Sequence, residues 1–273
     1  MTKYIESFQE IQADFLRRGI PTDKPGFYDH PRFLDVEKYY PEYLNNYARF
    51  VYERPRDLTY DELVKKKVPV IAKHFHDKLK AHGRLGACVD ISGLISRALE
   101  FEGIWNYVVK GSLTIEFPKK SRIVTKYFWS VDTGEFTAAH AWVVAPPLHI
   151  IDISIQLQPY SDGEEKYLPK IICSEAGLIT KVNLEDIVSP EVRQYFTSIG
   201  VPKGRLLLAA SPGTSQFIEV FPARLLEFHD TRMKFVPVAV TAPDAAFENM
   251  RAMLFGGKTG YEIYCQEIRN ALT

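Results

Sequence analysis

Residues 85–96 read LGACVDISGLIS, and the position of Cys88 in that stretch decides how the chain is read. Gly83 and Gly86 supply turn material. From Cys88 onward Val89, Ile91, Leu94, Ile95, Ala98 and Leu99 recur at helical spacing until Gly103. A cysteine therefore stands where a helix opens. Unpaired amides and the positive end of the helix dipole favour an anion there, and so the thiolate of a group whose ordinary pKa is about 8.5. Gly86 allows the tight turn into the helix, and the Cys88 amide is placed to meet a developing oxyanion. A buried structural thiol needs no such position.

Beyond the helix the rhythm changes. IWNYVVKGSLTIEF (104–117), SRIVTKYFWSV (121–131), EFTAAHAWVVA (135–145) and LHIIDISI (148–155) are rich in β-branched and aromatic residues and separated by turn material. They predict a mostly antiparallel sheet following the Cys88 helix. With Pro146 and Pro147 in a hairpin turn, residues whose numbers sum to about 292 or 293 face each other, which sets Asp152 opposite His140. An imidazole with a carboxylate partner is what a thiol nucleophile needs as its base. Trp142 shares the face of His140 and is expected to cover the His–Asp pair, while His149 falls on the other face. Taken singly, Cys88 fits an inert thiol and the His–Asp pair a local salt bridge. Together they form one working set.

The same residues resemble a known family. GACVDISGLISRALEFEGIWNYVVKGS (86–112), followed by HAWVV and by an aspartate in the next strand, is similar to the signature of the transglutaminase-like superfamily of papain-type cysteine enzymes. The resemblance spans about residues 84–154. It implies an α+β fold with a papain-like transglutaminase core, a Cys-bearing helix packed on an antiparallel sheet, with N-terminal helices and C-terminal additions. It also implies a catalytic triad: Cys88 as nucleophile, His140 as general base and acid, Asp152 as orienting carboxylate. The expected activity is acyl transfer at an amide bond through a thioester on Cys88, as a peptidase or amidase or as a protein-glutamine transglutaminase or deamidase. A protein or peptide is the expected substrate, and no cofactor or metal is expected. The oxyanion-hole side chain usual upstream of the cysteine is not identifiable here. Two rivals stay open: an arylamine N-acetyltransferase-like enzyme, partly echoed by GRLGAC (83–88), and a non-catalytic binding module on a decayed core.

The remaining sequence frames this centre. The first segment, 1–82, reads as helices over about 4–16, 36–52 and 59–81, the last with Thr59 as N-cap. Residues 83–160 are the expected catalytic core. Residues 161–273 form an extension with a short helix near 184–199, strand-like runs RLLLAAS (205–211), SQFIEVFPARLLEFH (215–229) and MKFVPVAV (233–240), and a helical region from Asp244. Across 273 residues Lys plus Arg and Asp plus Glu each total 34, so no basic field attracts nucleic acid. No apolar run has membrane-span length. Three cysteines cannot all pair within one chain, which fits a reducing compartment, and a cytoplasmic location is expected. Cys173 and Cys265 read as ordinary thiols, Asp90 as a helix-dipole partner and Arg84 as a surface residue. His74 and His76 in HFHD lie on different helix faces, unsuited to a shared metal. The GGKTG at 256–260 lacks the earlier glycine of a phosphate loop, since Ala252 stands there.

Overall fold

The computed structural model describes residues 7–132 and 139–272. Helix α1 (Phe8–Arg17) opens with a capping box between Ser7 and Glu10. It is followed by α2 (Pro31–Glu37), α3 (Leu44–Glu53), α4 (Leu58–Ala81) and α5 (Cys88–Phe101). The single helix expected over 36–52 is thus two, broken at Pro41. The N-cap of α4 is Asp57, not Thr59: its carboxylate accepts the Tyr60 amide at 2.7 Å. Residues 4–6 and 133–138, which carried the start of one helix expectation and part of one strand expectation, lie outside the described residues.

The strands are β1 (Tyr107–Glu116), β2 (Lys126–Phe128), β3 (His140–Ala145), β4 (Leu148–Asp152), β5 (Ile172–Ser174), β6 (Leu178–Ile179), β7 (Arg224–Phe228) and β8 (Thr231–Thr241). They form one antiparallel sheet in the order β5-β4-β3-β1-β8-β7-β6, with β2 also paired to β1. Of the run expected over 121–131, only Lys126–Phe128 is strand. Pro237, which lacks an amide hydrogen, sits within β8 opposite Gly111, beside the shift in the β1–β8 register.

Helices lie on both faces of this sheet. Alternate side chains of β1, β3 and β4 (Val109, Trp142, Ile150) meet α1 and α3 and the C-terminal Phe217 and Phe221 in one core. Their neighbours (Val108, Val143, Ile151) meet α4, α5 and the C-terminal Tyr264 and Ile268 in another. A third, smaller cluster joins Ile187, Val188 and Val236. Because β1 is covered on both sides, it is buried along nearly its whole length, Ser112 and Thr114 included.

Between β6 and β7 lie α6 (Leu184–Ile187), α7 (Pro190–Ser198), α8 (Leu206–Ala210) and α9 (Thr214–Val220). The strand expectation for 205–211 and 215–220 is therefore wrong, and only the end of the second run, Arg224–Phe228, is extended. Leu206, Phe217 and Phe221 anchor this region at spacings that helices also satisfy, so short apolar runs did not distinguish the two states. The C-terminal region is likewise not helical from Asp244. A hairpin of β9 (Leu254–Phe255) and β10 (Lys258–Thr259) comes first, turning on Gly256 and Gly257 with φ of 59° and 85°, before α10 (Gly260–Ile263) and its π-helical continuation to Ile268. GGKTG is thus a hairpin turn.

Candidate active site

Cys88 is the first residue of α5, so its amide has no intrahelical acceptor. The turn that brings it there uses Gly86 at φ +69°, and the Gly86 amide is tied to the Leu157 carbonyl at 2.9 Å. His140 is the first residue of β3 and Asp152 the last of β4, both at the end of the hairpin away from the cis Pro146–Pro147 turn. All three side chains are buried: Cys88 is 2% exposed, His140 1% and Asp152 2%.

The His140 Nε2–H donates to Asp152 Oδ2 at 2.6 Å. The other carboxylate oxygen accepts the Ser154 amide at 2.8 Å and the Ser154 hydroxyl at 3.0 Å. The carboxylate is therefore fixed at both oxygens before it fixes the imidazole. Ser154 in turn is steadied by Gln158, whose Nε2 donates to the Ser154 carbonyl at 3.0 Å. Neither Ser154 nor Gln158 was expected at the site. The signal for Ser154 lies in Asp-Ile-Ser, because an aspartate readily bonds the backbone amide two residues on.

Burial works against a charge on His140, but the Asp152 charge and hydrogen bond, and then contact with the Cys88 side chain, outweigh it and raise the imidazole to about 10. With Nε2 committed to Asp152, Nδ1 is the nitrogen left for the thiol. It is buried and meets no acceptor or donor with hydrogen-bond geometry. The thiol thus lies near enough to act on the ring electrostatically without a formed hydrogen bond to it. Catalytic bonds of this kind commonly tighten only when substrate is bound.

The hairpin register differs in one respect from the expectation. Ala145 pairs with Leu148, but Val143 pairs with Ile151, so β4 holds one extra residue in a bulge. His140 and Asp152 are consequently diagonal partners, still on one face. The register at the turn, Ala145 with Leu148, already sets His149 opposite Val144 on the face of Trp142, against the expected parity, and the bulge then brings Asp152 to the face of His140. Trp142 lies beside the imidazole, ring centroids 6.4 Å apart and planes at 27°, and Phe128 and Phe235 flank it at 6.0 and 6.2 Å. Room for the indole comes from Gly111, the partner of His140 across β1 and β3. A Cβ at Gly111 would stand 2.6 Å from the Trp142 ring and 2.2 Å from the Val236 carbonyl.

The other candidates separate cleanly. Burial and then the Asp152 charge push the Cys173 thiol up to about 12. His76 is buried and bonds the Ile153 carbonyl at 2.9 Å, pinning α4 to the end of the hairpin. Asp90 and Arg84 are exposed. Among the described residues no group of three acidic, histidine or cysteine side chains is placed to hold a metal ion, and no helix is long and apolar enough to cross a membrane. Comparison with family models, curated proteins and solved structures found no match to this chain.

Proposed function

We propose that this chain is a cysteine-dependent acyl-transfer enzyme of the transglutaminase-like, papain-type kind, acting on an amide bond of a protein or peptide. The observation that carries this reading is the buried His140, its Nε2–H on Asp152 at 2.6 Å and its Nδ1 unbonded beside Cys88. In the reaction the imidazolium already holds at Nδ1 the proton taken from the thiol, and the thiolate Sγ attacks the carbonyl carbon. The oxyanion that forms meets the free Cys88 amide at the start of α5. Collapse of the tetrahedral species breaks the C–N bond, and the imidazolium gives its proton to the departing amine. The thioester is then released to water in hydrolysis, or to a second amine in transfer. Asp152 does not exchange the proton; it holds the ring and favours its cationic form.

The test is alkylation by iodoacetamide, followed at each cysteine by mass spectrometry from pH 5.5 to 9. Cys88 should react faster than Cys173 throughout, and at pH 6–7 its rate should fall by roughly ten- to a hundredfold in His140→Ala, within the range of one proton-transfer group. Equal rates at Cys88 and Cys173, or a His140→Ala profile that overlays the parent, defeats the proposal.

A further inference from the structure

A cleft runs along α5 on the side of β1 and β8, bounded by the chain that follows β8 and by Met250 and Met253. The centre of a water molecule can occupy about 260 Å³ of it. A single water needs about 10–15 Å³ of such space, so a long side chain fits. The cleft shares its walls with the candidate active site. Asp90, in its lining, stands two residues after Cys88, and Lys110 precedes Gly111, the partner of His140 across β1 and β3.

The floor is apolar, since Leu94, Val108, Met250 and Met253 are buried there. Gly93 lies among them, buried in the middle of α5. A Cβ on Gly93 would come no closer than 3.7 Å to Met250 and 3.8 Å to Pro243, ordinary contact distances. Packing therefore does not demand glycine, and glycine weakens a helix interior relative to alanine. What its missing side chain preserves is the depth of the cleft. The rim is polar. Asp90 and Asp244 are exposed there, neither of them in an ion pair among the described residues, against one cation of the lining, the half-buried Lys110. An apolar floor under a rim of net negative charge suits a side chain that lays an aliphatic stem on apolar surface and keeps a cationic head in water.

We propose that, with Cys88 as the nucleophile of the reading above, this cleft takes a basic side chain, arginine or lysine, from the peptide whose carbonyl is attacked. The stem rests on the floor beside Gly93, and the charge meets Asp90 and Asp244. The substrate class thus narrows to peptides with a basic residue close to the reacting amide, on its acyl side.

Labelling of Cys88 in the full chain by dipeptidyl acyloxymethyl ketones tests this; the thiolate displaces the carboxylate and forms a thioether. The probes carry arginine, citrulline or glutamate at the first or the second residue from the ketone, with alanine at the other. At one of the two positions arginine should label roughly fivefold faster than citrulline, its uncharged near-isostere, which is the upper range for an ion pair at the surface, and glutamate should be slowest. The ratio should shrink at about 1 M salt, where screening acts within about 3 Å. The double variant Asp90→Asn, Asp244→Asn should bring it to about one, and Gly93→Leu, which fills the floor, should remove the preference as well. Citrulline as fast as arginine at both positions, or a preference undiminished in the double variant, overturns the proposal. Should Gly93→Leu fail to fold, the two exposed aspartates still decide it. If no peptidyl ketone labels a Cys88 that iodoacetamide alkylates with dependence on His140, the cleft loses this role and the catalytic reading stands; if that dependence is missing too, both fall.

Discussion

His140 is buried with a carboxylate at 2.6 Å, and its basicity reports that partnership. The ring is raised from 6.5 in the unfolded chain to about 10 in the folded one. A group raised on folding contributes stability that is fully present below its unfolded value and is lost as pH climbs through its folded value. Urea unfolding of the parent should therefore show stability falling between pH 6.5 and 10 by an amount on the order of a few kcal/mol. Asp152→Asn, which removes the raising charge, should flatten that slope relative to the parent; parallel slopes in the two proteins count against the ion pair. The same substitution should also slow Cys88 alkylation at pH 7, because the ring loses both its orientation and its preference for the cation. Cys88 was legible from the sequence because a helix start is a local rule, whereas His140 and Asp152 share a face only through the bulge in β4, which simple hairpin parity does not contain. Ser154 and Gln158 were not legible, as their role exists only once the carboxylate is in place.

At the scale of elements, two glycines carry the placement of the site. Gly86 takes a left-handed backbone to turn the chain into α5, and a Cβ there would find open space, its nearest contact being Pro159 at 3.9 Å. Gly86→Ala should accordingly cost only its conformational penalty, about 1–2 kcal/mol. Gly111→Ala meets the Val236 carbonyl and the Trp142 ring at once. It should cost about 3 kcal/mol or more, because the backbone neighbour cannot step aside. Chemical denaturation of both variants orders them, and an equal or smaller loss for Gly111→Ala counts against the close packing of β1, β3 and Trp142. Sequence periodicity found α5, β1, β3, β4 and β8, each long or regular enough to show its period. It failed for α8 and α9, whose five and seven residues are too few to separate helix from strand.

At the scale of the molecule, segments far apart in sequence close around one helix. Arg97 of α5, 5% exposed, binds Asp29 at 2.6 Å, Glu100 at 2.8 Å, and the carbonyls of Ala245 and Pro243 at 2.9 and 3.1 Å. Tyr28 donates to the same Glu100 at 2.6 Å. Burial drives the Glu100 carboxyl upward, and Arg97 is the main group opposing it. Arg97→Ala should thus destabilise the fold by about 3–5 kcal/mol, the cost of breaking a buried pair from one side. Limited proteolysis should then cut first near residues 20–30 and 243–249, the two stretches that Arg97 joins. Unchanged cleavage there would show that packing alone holds them.

The sequence by itself determined the opening of the Cys88 helix and the strands on either side of the Pro146–Pro147 turn, because each follows from spacing along a few neighbouring residues. Only the tertiary structure decided the strand order, the covering of both sheet faces, the bulge that brought Asp152 to the face of His140, and the meeting of the cysteine with the hairpin. Those depend on residues tens of positions apart competing for the same apolar surface, and no local period records which of them wins.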